Sequence, residues 1–294
     1  MLTADRSKTG SGGAHASRLP IALVVLLALL LRAYHLGHLG FWYDEGASAY
    51  LAEAGRLAVW TRDVHPPLYV ALLSVWRLVA DGDVWLRSLS VLFGVATVPV
   101  VYAIGRALFS PPAGLWAAGL LAVTYFHVKY SQETRMYALV GLLFAGALGG
   151  LVVAVRRARL DGWTVYVICA TLLLYSHGIA VVYVAALASL FPLLASRLDG
   201  RWAWRPWLAA HLAVGILFLP WGMEALRDAR QVSRGFWIPP PSSAEPPLFS
   251  TLQLITVAPI PALSAILRSR FGLSAPAVLA GGCGSRRCSW RRSG

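Results

Sequence analysis

Residues 136–155 read MYALVGLLFAGALGGLVVAV, twenty residues without a charge, and Arg156 and Arg157 follow directly. A bilayer core about 30 Å thick requires about 20 apolar residues in a helix, because backbone polar groups must be satisfied inside the hydrocarbon. The stretch therefore predicts a transmembrane helix that ends at a basic membrane surface.

The whole chain has a composition that suits such helices. Of its 294 residues, 57% are hydrophobic and 13% are charged, and the mean hydropathy is +0.62. Soluble domains carry about 25% charged residues, so an ordinary cytosolic enzyme, a disordered protein and a collagen-like fibre are excluded. A net charge of +13 on so apolar a chain indicates membrane topology or lipid contact, not nucleic-acid binding.

Further charge-free runs are spaced along the chain. One internal charge, Arg32, interrupts the run from Arg18 to Leu39. The 35-residue run 162–196 is too long for one helix, and its polar triplet at 176–178 favours two short spans joined by a tight turn. The remaining runs are 88–105, 107–128, 206–223 and 246–267. Together they predict an all-α, polytopic transmembrane helical bundle of about seven or eight spans.

The distribution of Arg and Lys orients these spans. The N-terminal segment carries Arg6, Lys8 and Arg18, which the positive-inside rule places in the cytoplasm. Residues 66–80 are short for a span, and the basic cluster at 156–159 falls inside only if they do not cross. We therefore predict a helix on the outer surface there. The segments placed outside are the first outer loop (40–86), the second outer loop (130–135), 176–178 and 224–245.

Two acids stand where the first span leaves the membrane. Asp44 and Glu45 follow three aromatic residues of the kind that line membrane interfaces. Residues 46–59 have apolar positions at helical spacing and predict an amphipathic helix in the interface. The acids could cap that helix, because carboxylates favour a helix N-terminus. They could equally supply a general base and its companion at the bilayer surface.

The second outer loop also concentrates charge. Glu133 and Arg135 lie in it, and Lys129 directly precedes it. An acid and a cation can form a solvated ion pair, whereas two cations in a tight loop can hold a phosphate, Arg by bidentate hydrogen bonds. His65 and His177, taken alone, are typical of turns. The sequence has no metal-ligand spacing, Walker loop, GxSxG motif or dinucleotide fingerprint.

Four segments, in this order and spacing, carry a resemblance to a known family. They are FWYDE (41–45), HPPLYVALL (65–73), RSLSVLFGVATVPVVYAIGRALF (87–109) and YSQETRMYAL (130–139). Over roughly residues 18–245 the chain resembles the GT-C membrane glycosyltransferases. Specifically, it resembles the dolichyl-phosphate-mannose–protein mannosyltransferase family and its bacterial relatives, including lipid A aminoarabinose transferases. That family places its first loop outside the membrane with periplasmic juxtamembrane helices, which agrees with the charge distribution.

The resemblance implies transfer of a sugar, mannose-like or another hexose or pentose, from a polyprenyl-phosphate donor. The acceptor would be a glycan, lipid or protein outside the plasma membrane. It implies Asp44 as the catalytic acid of the first loop, Glu45 as its neighbour, and Glu133 as the acid of the second loop. The residues assigned to substrate or phosphate binding, from the motif or from their place near it, are Arg135, Lys129, Tyr137, His65 and His177. No cofactor or nucleic-acid partner is implied, and a divalent cation stays an open alternative.

The two ends of the chain differ from the apolar segment between them. Residues 1–17 are typical of a disordered cytoplasmic tail, and residues 18–280 form the transmembrane domain. Residues 281–294 hold four Arg and two Cys. Such a tail is typical of a frame-shifted or truncated gene product, since family members are longer, or of a genuine basic tail.

Two rival functions stay open. A transporter or lipid flippase would keep ionisable residues at mid-membrane and have paired halves. A truncated remnant would only bind lipid.

Overall fold

A computed structural model describes residues 18–53, 65–157, 160–197 and 204–235, and this part of the chain contains helices and no strands. The ten helices are α1 (Leu19–Ala33), α2 (Tyr43–Leu51), α3 (Leu68–Arg77), α4 (Asp83–Leu108), α5 (Pro111–Val123), α6 (Tyr125–Ser131), α7 (Tyr137–Arg157), α8 (Leu160–Leu174), α9 (Ala180–Arg197) and α10 (Trp204–Gly235). The predicted all-α class is confirmed.

Three helices of the described part are long and apolar enough to cross a membrane. They are Asp83–Leu108, Tyr137–Arg157 and Trp204–Glu224, and they coincide with three of the predicted spans. The last helix continues as α10 to Gly235, so the outer loop predicted over 224–245 begins as helix. An ion pair between Glu224 and Arg227, 2.6 Å long and three residues apart, supports this extra length.

The two predicted spans at 18–39 and 107–128 are shorter or broken in the structure. Helix α1 ends at Ala33, and the following turn includes His35 with a positive φ of 56°. Run 107–128 divides into α5 and α6 at Thr124, whose backbone is extended. Helix α5 starts late because Pro111 and Pro112 favour a helix N-terminus and Ser110 Oγ accepts the Ala113 N–H at 3.3 Å.

The core lies between α7 and its neighbours, and the most extensive packing is between α7 and α8. A Cβ added at Gly150 would lie 2.6 Å from the backbone nitrogen of Tyr166, so only glycine permits this contact. Small residues at helix interfaces are how membrane helices approach closely. The break predicted at 176–178 is confirmed, because α8 ends at Leu174 and α9 begins at Ala180.

Two short helices follow α1. Helix α3 has ten residues and therefore extends about 15 Å, too little to cross the hydrocarbon, and its buried face packs on α4. Helix α2 begins at Tyr43, not at Gly46 as predicted, and so includes both acids in its first turn. The other predictions for 54–64, 1–17, 246–267 and 281–294 lie outside the described residues.

Candidate active site

Glu45 bends back over the start of α2. Its Oε2 accepts the backbone N–H of Trp42 at 3.4 Å, and its side chain is almost wholly buried. Trp42 has an extended backbone and therefore ends the preceding loop. This is the capping role that carboxylates favour in the first turn of a helix.

The Glu45 carboxylate also holds a buried arginine. Arg87 Nε donates to Oε1 at 2.8 Å and Nη2 donates to Oε2 at 2.7 Å, a bidentate pair of the strong kind. The remaining guanidinium N–H groups donate to the carbonyls of Leu36, Leu39 and Gly40 at 2.9, 2.7 and 3.2 Å. Arg87 therefore fastens the turn after α1 and the start of α2 to the start of α4.

A third bond links Glu45 to the second outer loop. The backbone N–H of Thr134 donates to Oε1 at 2.8 Å, and Thr134 is fully buried. The carboxylate therefore has partners on both oxygens from three segments of the chain. Such an arrangement fixes the position of the carboxylate.

Asp44, the neighbouring acid, faces a different partner. Its Oδ2 lies 3.9 Å from Arg135 Nη2, and its side chain is 36% exposed whereas that of Arg135 is 8% exposed. Arg135 Nη1 also donates to the Asp44 carbonyl at 3.4 Å and to Ser48 Oγ at 3.2 Å. The accessible carboxylate of Asp44 thus lies beside a buried, well-held cation.

Two histidines and a tyrosine surround the guanidinium of Arg135. Arg135 Nη2 donates to His65 Nε2 at 3.1 Å, because guanidinium groups only donate. The rings of His65 and His177 lie 5.7 Å apart, and the ring of Tyr137 lies 6.0 Å from His177 and 5.9 Å from the Arg135 guanidinium. These four predicted binding residues come together at one place.

His177 lies in the turn between α8 and α9. Its Nδ1 accepts the backbone N–H of Ile179 at 3.1 Å, which leaves its proton on Nε2. Burial, His65 and Arg135 together lower the pKa of His177 below its usual value. The free site therefore holds this imidazole in its neutral form near pH 7.

Glu133 and Lys129 form the outer side of the second loop. Lys129 Nζ lies 4.0 Å from Glu133 Oε1, and the Glu133 side chain is 14% exposed. Glu133 Oε2 is buried and has no hydrogen-bond partner in the described structure. Burial raises the pKa of Glu133 above its usual value, against the opposing effect of Lys129. The raised pKa makes the protonated form of Glu133 easier to reach.

Arg87 and a buried hydroxyl pair were not predicted from the sequence. Tyr69 Oη and Ser90 Oγ lie 2.8 Å apart, and Ser90 Oγ donates to the Arg135 carbonyl at 3.2 Å. Tyr69 on α3 and Ser90 on α4 thus hold the backbone of Arg135 in place. Burial raises the pKa of Tyr69, so its hydroxyl stays protonated. The available indication was a charge, Arg87, at the very start of an apolar run.

The candidate active site therefore joins an accessible carboxylate, a buried guanidinium and two imidazoles, and the Lys129–Glu133 pair belongs to the same second outer loop region. Within the described ranges, no group of three or more His, Cys, Asp and Glu side chains is arranged to hold a metal ion. The arrangement can accept a proton at Asp44 and bind an anion near Arg135, Lys129 and His177.

Comparisons with known proteins place this arrangement in context. A family profile described as dolichyl-phosphate-mannose-protein mannosyltransferase matches residues 64–223, more than half of the chain. No curated protein sequence matches the chain significantly.

Solved structures share the fold at low sequence identity. The protein O-mannosyltransferase complex Pmt1-Pmt2 of S. cerevisiae, bound to the sugar donor, is 18% identical with a TM-score of 0.55, and the match covers 73% of this chain and 33% of that chain. The archaeal oligosaccharyltransferase AglB from Archaeoglobus fulgidus, in complex with an inhibitory peptide and a dolichol-phosphate, is 14% identical with a TM-score of 0.58, covering 90% of this chain and 38% of that chain. This chain thus spans little more than a third of the length of these proteins.

Proposed function

This chain belongs to the dolichyl-phosphate-mannose–protein mannosyltransferase family, and we propose that it transfers a sugar from a polyprenyl-phosphate donor to an extracytoplasmic acceptor. The observation that carries the proposal is the exposed carboxylate of Asp44, 3.9 Å from the buried guanidinium of Arg135. One group accepts a proton and the other binds a phosphate, which are the two tasks of this reaction.

The reaction forms one bond and breaks one. The acceptor hydroxyl oxygen attacks the anomeric carbon of the sugar, and the bond from that carbon to the phosphate oxygen breaks. Asp44 takes the hydroxyl proton, and polyprenyl phosphate leaves with the bonding electrons. Attack from the face opposite the phosphate inverts the anomeric configuration. A carboxylate is a competent base at the accessible place that Asp44 occupies.

The departing phosphate gains negative charge in the transition state, and cations close to it lower the barrier. Arg135 is held by Asp44, Ser48 and His65, so its guanidinium requires little reorganisation. We assign Lys129, whose ammonium lies 4.0 Å from Glu133, and the Nε2–H of His177 to the same anion site. Tyr137 covers one side of the guanidinium.

Glu45 and Glu133 take supporting roles in this proposal. The buried Glu45 carboxylate accepts two N–H groups of Arg87 and the backbone N–H groups of Thr134 and Trp42. We therefore assign it to positioning Asp44 and not to taking the acceptor proton. Glu133, with a raised pKa, can donate a hydrogen bond from its protonated form to an oxygen of the sugar or the phosphate. The proposed location is the plasma membrane, with this site outside.

The known partners of the structural neighbours support a lipid-linked donor. Pmt1-Pmt2 is bound to the sugar donor and AglB to a dolichol-phosphate and a peptide. A transporter is not favoured, since the charged residues of the candidate site gather at helix ends and loops.

The test uses the full chain, purified and placed in lipid nanodiscs. Radiolabelled polyprenyl-phosphate mannose, glucose and a pentose are supplied separately, each with an envelope extract as acceptor, and GDP-mannose is the matched nucleotide-sugar control. We expect release of polyprenyl phosphate and labelled product from at least one lipid donor, and none from GDP-mannose. Use of the nucleotide sugar alone, or of no donor, would contradict the proposal. Mass spectrometry of envelope glycans in a deletion strain then identifies the product.

A further inference from the structure

Arg32 is a buried cation in the last turn of α1 that the proposed chemistry does not use. Its side chain has no exposed surface, although Leu29 and Leu30 beside it are 43% and 59% exposed. A charge buried in a membrane segment must find hydrogen bonds or a counter-charge. In the described part of the chain, the hydrogen-bond partners of Arg32 are all neutral groups.

One set of partners consists of a carbonyl one turn back in α1 and two carbonyls at the end of α5. Arg32 Nη1 donates to Ala28 O at 3.0 Å and to Ala122 O at 3.1 Å, and Nη2 donates to Leu121 O at 3.4 Å. The last carbonyls of a helix have no intrahelical donor and carry partial negative charge. Helix α5 stops at Val123, so Arg32 satisfies the carbonyls that this break exposes.

The other partners lie on α6, which leads into the second outer loop. Arg32 Nε donates to Ser131 Oγ at 3.3 Å, and Nη2 donates to His127 Nδ1 at 2.7 Å. The Gln132 amide then donates back to the end of α1, at the carbonyls of Arg32 and Tyr34, at 3.1 and 2.8 Å. We name these four side chains, Arg32, His127, Ser131 and Gln132, the Arg32 clamp.

We propose that the Arg32 clamp positions the second outer loop so that Arg135 meets Asp44. Gln132 is three residues before Arg135, and the clamp fixes it to the end of α1. The turn that leaves the same end of α1 is held by Arg87 and continues into α2, which carries Asp44. The first and second outer loops are therefore both fixed to the C-terminal end of α1. The inference rests on the proposed function, and Arg32 is a positioning residue in it.

Helix α4 closes the clamp with a glycine. A Cβ added at Gly94 would collide with Ser131 Oγ and lie 3.1 Å from Arg32 Nε. The substitution Gly94→Ala therefore displaces the clamp without altering a charge. At Gly119 an added Cβ meets nothing within 4 Å, so Gly119→Ala is a matched control in another apolar helix.

The first measurement is transfer activity of the full chain in nanodiscs, at equal amounts of membrane-inserted protein. A misplacement of about 1 Å can cost roughly 10²-fold in rate, so we expect Arg32→Gln and Gly94→Ala to lower kcat about 10- to 100-fold. The donor KM should rise by a smaller factor than kcat falls, because the groups that contact the donor are displaced but not removed. Arg32→Lys should retain more activity than Arg32→Gln, and Gly119→Ala should match the parent.

The second measurement reports position without activity. Spin labels are placed at Tyr43→Cys and Tyr125→Cys, two exposed residues on α2 and α6, after replacement of the native cysteines. We expect one narrow distance distribution in the parent and in Gly119→Ala, and a broader or shifted one in Arg32→Gln and Gly94→Ala. If Arg32→Gln does not accumulate in membranes, Gly94→Ala carries the test.

The two measurements separate the possible failures. Unchanged distances in both clamp variants would overturn the proposal, whether their activity is lost or retained. Changed distances with parent-like kcat would also overturn it, because position would then not matter for transfer. A parent with no transfer activity contradicts the proposed function, while the distance measurement still decides whether the clamp positions the loop.

Discussion

Replacing Asp44 by Asn separates the two roles open to the first-loop acids. The Asp44 side chain is 36% exposed, and its carboxylate lies 3.9 Å from the Arg135 guanidinium. Such a pair contributes less than about 1 kcal/mol to the free energy of unfolding. The negative charge of Asp44 in the first turn of α2 adds about 0.3–1 kcal/mol through the helix dipole, so Asp44→Asn should fold. If Asp44 is the general base, as proposed, its loss removes about 10²–10⁴-fold of the rate. Asp44→Asn should therefore lose transfer activity by that factor at normal expression.

Glu45→Gln is the matched comparison, because it removes a neighbouring charge from a different environment. The Glu45 side chain is 2% exposed and pairs with Arg87, which is 6% exposed. Breaking one side of a buried pair costs about 3–5 kcal/mol, so this variant should accumulate poorly and melt earlier. Donor turnover per inserted molecule and thermal melting in detergent are measured for both variants. Asp44→Asn activity within a few-fold of the parent would refute the assignment of Asp44 as the base.

Three further predictions concern the anion site and the topology. Arg135→Ala should raise the donor KM about 10- to 100-fold, since charge-assisted hydrogen bonds contribute about 1.5–3 kcal/mol. Arg227→Ala, which removes a side chain that is 67% exposed, is the control. Equal effects of the two substitutions would contradict the phosphate-binding role of Arg135. Donor affinity of the parent should strengthen as pH falls below the usual histidine pKa of 6.5, because the pKa of His177 is lowered in the free site and rises again beside a bound phosphate. In His177→Gln, titrations of donor binding should no longer show this pH dependence. If the pH dependence persists in His177→Gln, another group causes it. Cysteines that replace Tyr43 and Lys129, both exposed, should react with a membrane-impermeant thiol reagent added outside, whereas a cysteine that replaces Arg157 should not. Labelling of only one of positions 43 and 129 would mean that residues 66–80 cross the membrane.

The sequence by itself determined the helical membrane class and the places where chemistry could gather. Apolar runs such as 136–155 predict helices directly. In hydrocarbon, each segment must itself avoid charges and satisfy its own backbone hydrogen bonds, so the local sequence is sufficient to identify it. The break in 162–196 was visible for the same reason, as a polar triplet in an apolar run. The acids 44–45 and the charges 133–135 stood out because the rest of the chain has so few.

Only the tertiary structure decided what each of those residues contacts. Asp44 and Glu45 are adjacent, yet a helix turns about 100° per residue, so one carboxylate meets Arg135 and the other meets Arg87. Glu45 and Arg87 are 42 residues apart, and Arg32 and Ser131 are 99 apart, distances that no local pattern encodes. Arg32 looked like an interruption of the first span, and only packing against the broken end of α5 gives its guanidinium the carbonyls that make its burial stable.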